Sequence, residues 1–204
     1  MILVICHFMK GFKQFLILNM LNLYNDVMKL ELSECEMFLG IISAPWSFKI
    51  IYGLLSDNVK IFGTKRKGHL LVNAGSCIFV MTGIIVFGMH LGKYFVTGCV
   101  FISQINIAYI DCVTDALTIQ VSTNSVKHGT ENLNTIAFLA QGIGAIVGAI
   151  MAIMFNCAKQ VNPYESFGVY IMLMCIYFLF ALNLDSRLEP PEILTLNDSL
   201  NNIT

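Results

Sequence analysis

Residues 44–67 read APWSFKIIYGLLSDNVKIFGTKRK. The apolar run carries Lys49 inside it, reaches Asp57, and then passes Gly63 to release Lys65, Arg66 and Lys67. A soluble core helix rarely holds an unpaired lysine, because burying a charge without a partner is costly. A plain membrane anchor needs neither the aspartate nor the glycine. The stretch therefore reads as a membrane helix whose lysine faces a protein interior.

Composition extends that reading to the whole chain. Of 204 residues, 56% are hydrophobic and 12% charged, where soluble domains carry about 25% charged residues. The apolar residues gather in blocks of about 20, enough for a helix to cross a hydrocarbon core of about 30 Å. The fold class is all-α, a polytopic transmembrane helical bundle embedded in the lipid bilayer. Six spans are predicted, at about residues 1–24, 37–56, 69–90, 94–120, 133–156 and 166–184, forming one bundle over about 1–184. Ser33 and Glu36 have the spacing of a capping box, which would open the second helix. From Asp185 onward the chain loses periodicity and gains Pro190 and Pro191, so 185–204 reads as a flexible cytoplasmic tail or linker.

A net charge of -1 offers no basic face for phosphates, which sets nucleic acid aside as a partner. The seven cysteines show no CxxC spacing and read as small hydrophobes, with no metal site and no disulfide frame. A Cys35–Cys157 bridge is open geometrically but not expected. There is no Ser-His-Asp set, HExxH, phosphate loop or cofactor motif, so no enzyme and no cofactor are expected.

Orientation follows from lysine and arginine in the short loops. Lys60, Lys65, Arg66, Lys67, Lys127 and Arg187 fall on one side; Lys29, Lys93 and Lys159 fall on the other. Both termini are expected in the cytoplasm, which puts the sequons at Asn197 and Asn202 on the wrong side for glycosylation. The membrane itself, plasma or organellar, is left open.

Five charges fall inside the spans: Lys10, Lys13, Lys49, Asp111 and Asp115. Each costs about 2.5–3.5 kcal/mol at a bilayer centre on insertion scales, so they should face an interior. Asp111 and Asp115 stand at i and i+4, on one helix face and about 6 Å apart along its axis. That spacing suits a pair that binds and releases protons; for Asp111 structural pairing fits as well, with Lys49 at a similar depth, and for Asp115, nearer the cytoplasmic end, a structural or gating role is the expectation. Lys10 and Lys13, at i and i+3, share a face, either as a positive patch toward an anionic substrate or as side chains that snorkel to an interface. Trp46 follows Pro45 and could stack on a flat substrate or pack a kink. In the fifth span Ala140, Gly144, Gly148 and Ala152 recur every four residues, a ridge that lets two membrane helices approach closely.

The loop between the second and third spans, with Gly53, Asp57, Gly63, Lys65, Arg66 and Lys67, resembles the signature loop of the major facilitator superfamily. There the aspartate and basic residues are implied to hold a cytoplasmic gate. The longer match is more specific: Pro45, Trp46, Lys49, Gly53, Ser56, Asp57, Gly63, Arg66 and Lys67 occupy the pattern of the folate-biopterin transporter family. Asp111, Asp115 and Ala116 resemble its fourth-helix motif. Lys65 stands where Arg is usual and Gly68 where Pro is common. The resemblance implies symport of folate, pterin or a related small anion, coupled to protons, by a twelve-helix carrier that works by alternating access. Lys10, Lys13, Trp46, Lys49, Asp111 and Asp115 would line the substrate or proton pathway. Six helices are half of such a carrier, so the chain is expected to be a fragment or a half completed by a missing carboxy-terminal half or a homodimer. The alternatives are a carrier of another small metabolite and a non-transporting membrane assembly protein.

Overall fold

Helices form where the apolar blocks stand, and their breaks have local causes. The computed structural model describes residues 2–123, 129–157 and 163–184. The tail from Asp185 onward lies outside the described residues, as do Lys127, Lys159, Arg187, Asn197 and Asn202. The described elements are α1 (Ile2–Asn22), α2 (Leu32–Ser43), α3 (Lys49–Asn58), α4 (Lys67–Thr123), α5 (Gly129–Cys157) and α6 (Ser166–Leu182), with no strand among them.

The second span differs from the single helix expected. It runs from α2 through a 3-10 turn at Ala44–Phe48 into α3. Pro45 explains the interruption, since it has no N–H to donate and its ring crowds the carbonyl four residues back. The expected capping box is absent: α2 starts at Leu32 after Glu31, with no side chain bonded to its first turn. Ser33 thus lies inside the helix rather than before it.

α4 is two arms in one element. At Gly92 the backbone takes φ 76° and ψ -171°, a conformation that glycine adopts at no steric cost. The chain doubles back there. Asn106 Nδ2 donates to Ser76 Oγ at 3.1 Å, and the Tyr109 hydroxyl lies 2.8 Å from His69 Nδ1. These pairs nest on either side of Gly92, as in an antiparallel hairpin. Leu32–Asn58, Lys67–Gln120 and Asn134–Cys157 are each long and apolar enough to cross a membrane, and Ser166–Leu182 is a shorter apolar helix.

The distribution of polarity is that of a protein in lipid. Phe79 is 81% exposed, and Ile50, Tyr94 and Phe138 also point outward. Buried instead are His7, Asn19, His69, Gln104, Asn106 and Asp111. Water rewards the opposite arrangement, whereas hydrocarbon drives polar groups to the interior. The chain is an integral membrane helical bundle.

The closest helix contact joins α1 to α5. A Cβ on Gly144 would lie 2.1 Å from Phe8 O, one on Gly148 3.1 Å from Phe12 O, and one on Gly11 1.9 Å from Gln141 O. Glycine on both helices therefore lets backbone touch backbone. Ala140 and Ala152, buried at either end, continue the ridge. Around it Phe8, Phe12 and Phe15 stack along α1, with Phe155 edge-on to Phe15 at 5.8 Å and Tyr170 against Phe12 at 6.4 Å. All seven cysteines, including Cys35 and Cys157, are free.

Helix propensity alone would make Gly11→Ala stabilising by about 1 kcal/mol. The contact with Gln141 predicts the reverse: a lower melting temperature in detergent. Gly142→Ala, which meets nothing within 4 Å, should leave it unchanged or slightly raised. A Gly11→Ala protein as stable as the unaltered one would refute the close approach.

Candidate functional site

Three helices deliver the interior charges to one place. α1 supplies Lys10, the start of α3 supplies Lys49, and the second arm of α4 supplies Asp111 and Asp115. Lys10 Nζ stands 2.9 Å from Asp111 Oδ1 and 3.7 Å from Asp115 Oδ1. Lys49 Nζ pairs with Asp111 Oδ2 and stands 3.7 Å from Asp115 Oδ2. Each lysine thus lies between two carboxylates, and each carboxylate between two lysines. The i, i+4 spacing makes this possible, because it stacks the two aspartates on one face.

The arrangement is asymmetric. Asp111 is held closely on both oxygens, and its side chain is 5% exposed; the Asp115 side chain is 42% exposed and loosely held on both. The backbone reinforces the Lys49 position. Cys112 Sγ donates to Lys49 O at 3.5 Å, and Gly53, whose Cβ would meet Cys112 Sγ at 3.4 Å, lets α3 lie close to α4.

Lys13 takes a different partner. Its ammonium lies 3.4 Å from the Trp46 ring centroid, with Lys49 5.1 Å from the same ring. Among the described residues no carboxylate lies within ion-pair distance of Lys13, so the aromatic face carries that contact. Trp46 Nε1 donates to Gln104 Oε1 at 2.9 Å. An indole N–H is a donor only, which fixes the orientation of the Gln104 amide. Gln104 lies seven residues before Asp111, so both share the interior face of the helix. Sequence reading missed Gln104; its spacing from the two aspartates was the available signal. With three lysines and two aspartates the centre carries one net positive charge.

Beside this centre a cavity of about 350 Å³ opens between α1, α4 and α5, lined by His7, Lys10, Asp115, Thr118, Asn134 and Gln141 among others. His7 Nε2 lies 3.4 Å from Thr118 Oγ1 across it.

The loop ahead of α4 is tied at several points. Phe62 and Gly63 both take positive φ, 54° and 75°, and Ile61 and Thr64 close the turn with two backbone hydrogen bonds of 3.0 Å. Thr64 Oγ1 accepts from Gly68 N–H at 2.7 Å, satisfying a free donor at the helix start. Gly68 has no room for a side chain, since a Cβ there would lie 2.1 Å from Ile61 O. Arg66 Nη2 pairs with Asp57 Oδ1 at 3.3 Å. Lys67 Nζ donates to Leu182 O at 2.6 Å and Leu184 O at 3.2 Å, bonding carbonyls that the end of α6 leaves open. Lys65 lies half-buried in the same segment. His69 and Tyr109, which the sequence did not single out, anchor the loop from below: His69 Nε2 bonds Val59 O at 2.8 Å, and its ring stacks on Tyr109.

A helical membrane bundle with an ion cluster at its centre and a tied basic loop at one end is the class that fold and site define. The model of the BT1 family matches residues 10–201, and the chain belongs to that family. It is 30% identical over 159 residues to probable folate-biopterin transporter 2 of Arabidopsis thaliana, which covers 77% of this chain and 30% of the relative. It is 25% identical over 124 residues to the folate-biopterin transporter of Synechocystis sp., covering 59% of this chain and 24% of that protein. It is also 25% identical over 120 residues to folate transporter 1 of Plasmodium falciparum, covering 57% and 23%. The chain thus spans less than a third of the length of these relatives. No solved structure matches it significantly.

Removing one partner of a buried ion cluster leaves an uncompensated charge, a loss of about 3–5 kcal/mol. Asp111→Asn should show that loss in chemical unfolding in detergent. Asp115→Asn, more exposed and loosely held, should lose much less. Equal losses would overturn the asymmetry described above.

Proposed function

We propose that the chain forms one six-helix half of a twelve-helix major facilitator carrier that moves folate, pterin or a related small anion by alternating access, coupled to protons. The observation that carries the reading is the centre where Lys10 and Lys49 share Asp111 and Asp115 while Lys13 rests on Trp46. Charges inside a bilayer mark solute or proton routes when they face an interior. Folates bring carboxylates and a flat pterin ring, which suit a lysine-rich centre with an indole beside it. The names of the relatives point to the same substrates.

In this reading the loop at Asp57, Arg66 and Lys67 is the cytoplasmic gate. Its Asp57–Arg66 pair can be broken and remade as one half rocks against the other. Both chain ends then face the cytoplasm. The second half comes from further sequence of the same protein or from a second copy; the size of the native protein on a blot separates these.

Uptake of radiolabelled folic acid in a folate-requiring host tests the reading. Saturable uptake that rises toward acid pH is expected, with Lys49→Ala and Asp111→Asn each lowering it by about tenfold or more, the loss of at least ~1.4 kcal/mol of coupling. Uptake of a different metabolite would replace folate as substrate. No uptake at all would favour an assembly protein, and normal uptake by both variants would leave Lys49 and Asp111 a packing role.

A further inference from the structure

Trp46 brings together two donors for which the bundle supplies no acceptor. The Lys13 ammonium rests on the indole face, 3.4 Å from the ring centroid. It meets no carboxylate among the described residues. The Gln104 amide takes the indole edge, where its Oε1 accepts from Trp46 Nε1 at 2.9 Å. That bond fixes which end of the amide faces the indole, because an indole N–H only donates. The other end, Nε2, is buried and meets no acceptor among the described residues, in a side chain whose residue is 3% exposed. A buried N–H2 left unpaired is costly, so its presence calls for a reason.

The two groups ask for the same kind of ligand. An ammonium and an amide N–H2 donate and do not accept, so a ligand that satisfies both brings two acceptor atoms and negative charge. A carboxylate does this with one oxygen for each donor, in charge-assisted hydrogen bonds. Charge counting favours it over a phosphate. Lys10 and Lys49 already share Asp111 and Asp115, which leaves the single charge of Lys13, whereas a phosphate monoester carries about -1.5 to -2.

We infer that Gln104 is a specificity-determining residue of the carrier: its Nε2, together with the Lys13 ammonium, takes a carboxylate of the substrate. Trp46 positions both donors. This rests on the carrier reading above and adds to it where the acid group of the substrate is held. Gln104 stands about 10 Å before Asp111 along α4, which keeps the bound anion away from the two aspartates. Lys13 and Trp46 are half-buried, while Gln104 is enclosed. A carboxylate therefore meets the ammonium first, and the amide is reached as the indole gives way on the 3-10 turn Ala44–Phe48 that carries it.

The test compares two labelled probes in equilibrium binding to membranes that hold the whole carrier: folic acid, which carries carboxylates, and biopterin, which carries none. Gln104→Glu keeps the oxygen that accepts from Trp46, replaces the N–H2 with a second acceptor and offers Lys13 an internal carboxylate. The ratio of folic acid affinity to biopterin affinity should fall by about tenfold or more, the worth of one charge-assisted hydrogen bond. A residue that only packs would weaken both probes alike, so a ratio equal to that of the unaltered carrier overturns the inference. If Gln104→Glu does not accumulate in membranes, Lys13→Gln decides by the same ratio, and an unchanged value again overturns it. Unaltered carrier that binds biopterin but not folic acid overturns this inference alone, whereas binding of neither probe overturns the carrier reading with it.

Discussion

The bundle depends on one carboxylate. Asp111 sits almost wholly buried with a lysine from α1 on one oxygen and a lysine from α3 on the other. Three helices that share no hydrophobic incentive to associate in lipid are thereby given an electrostatic one. The cost of taking these charges out of water is offset only where every partner is present and well placed. Gly53 lets α3 approach α4, and the glycines of α1 and α5 hold Lys10 at its depth. Packing of small residues and pairing of charges are thus two parts of one requirement: the cluster fixes where the helices cross, and the glycines let them cross there.

From that centre the polarity of the chain divides into zones along the interior. Lys13, Trp46 and Gln104 lie on one side of the cluster, offering a cation, a flat ring and an amide. His7, Thr118 and Gln141 lie on the other, around open space. The basic loop is bound to the same helices, because it joins α3 to α4 and Lys67 reaches the end of α6. The loop is thereby joined by covalent and hydrogen-bonded links to the helices that carry Lys49 and Asp111.

Much of this was legible in the residues. Charge scarcity and apolar block length gave a helical membrane bundle, and the single stretch at 44–67 gave the family. The i, i+4 aspartates announced a shared face, and the depth of Lys49 announced a partner for Asp111. What the sequence could not show is which lysine goes where. Lys10 and Lys13 are three residues apart and of one type, yet one joins the carboxylates of α4 and the other rests on the indole of Trp46, a choice set by how α1 packs against the segments that carry them. Gly11 was passed over because a lone glycine carries no pattern; its meaning lies in Gln141, far off in sequence. The capping box at Ser33 failed for a similar reason. Its spacing was right, but a helix can start earlier where the flanking residues allow, and α2 does.

The turn at Gly92 has a bearing on how the protein is made. With a single residue of non-helical backbone between the two arms of α4, no length of chain is available to leave one arm in the bilayer while the other waits in water. Their polar groups, Asn106 against Ser76 and Tyr109 against His69, find each other only when both arms are inside. The two arms are built as a single hairpin suited to entering the bilayer as one unit, with Lys93 at its tip paired with Glu34 at 3.3 Å. Insertion as one hairpin would make these two crossings a single event.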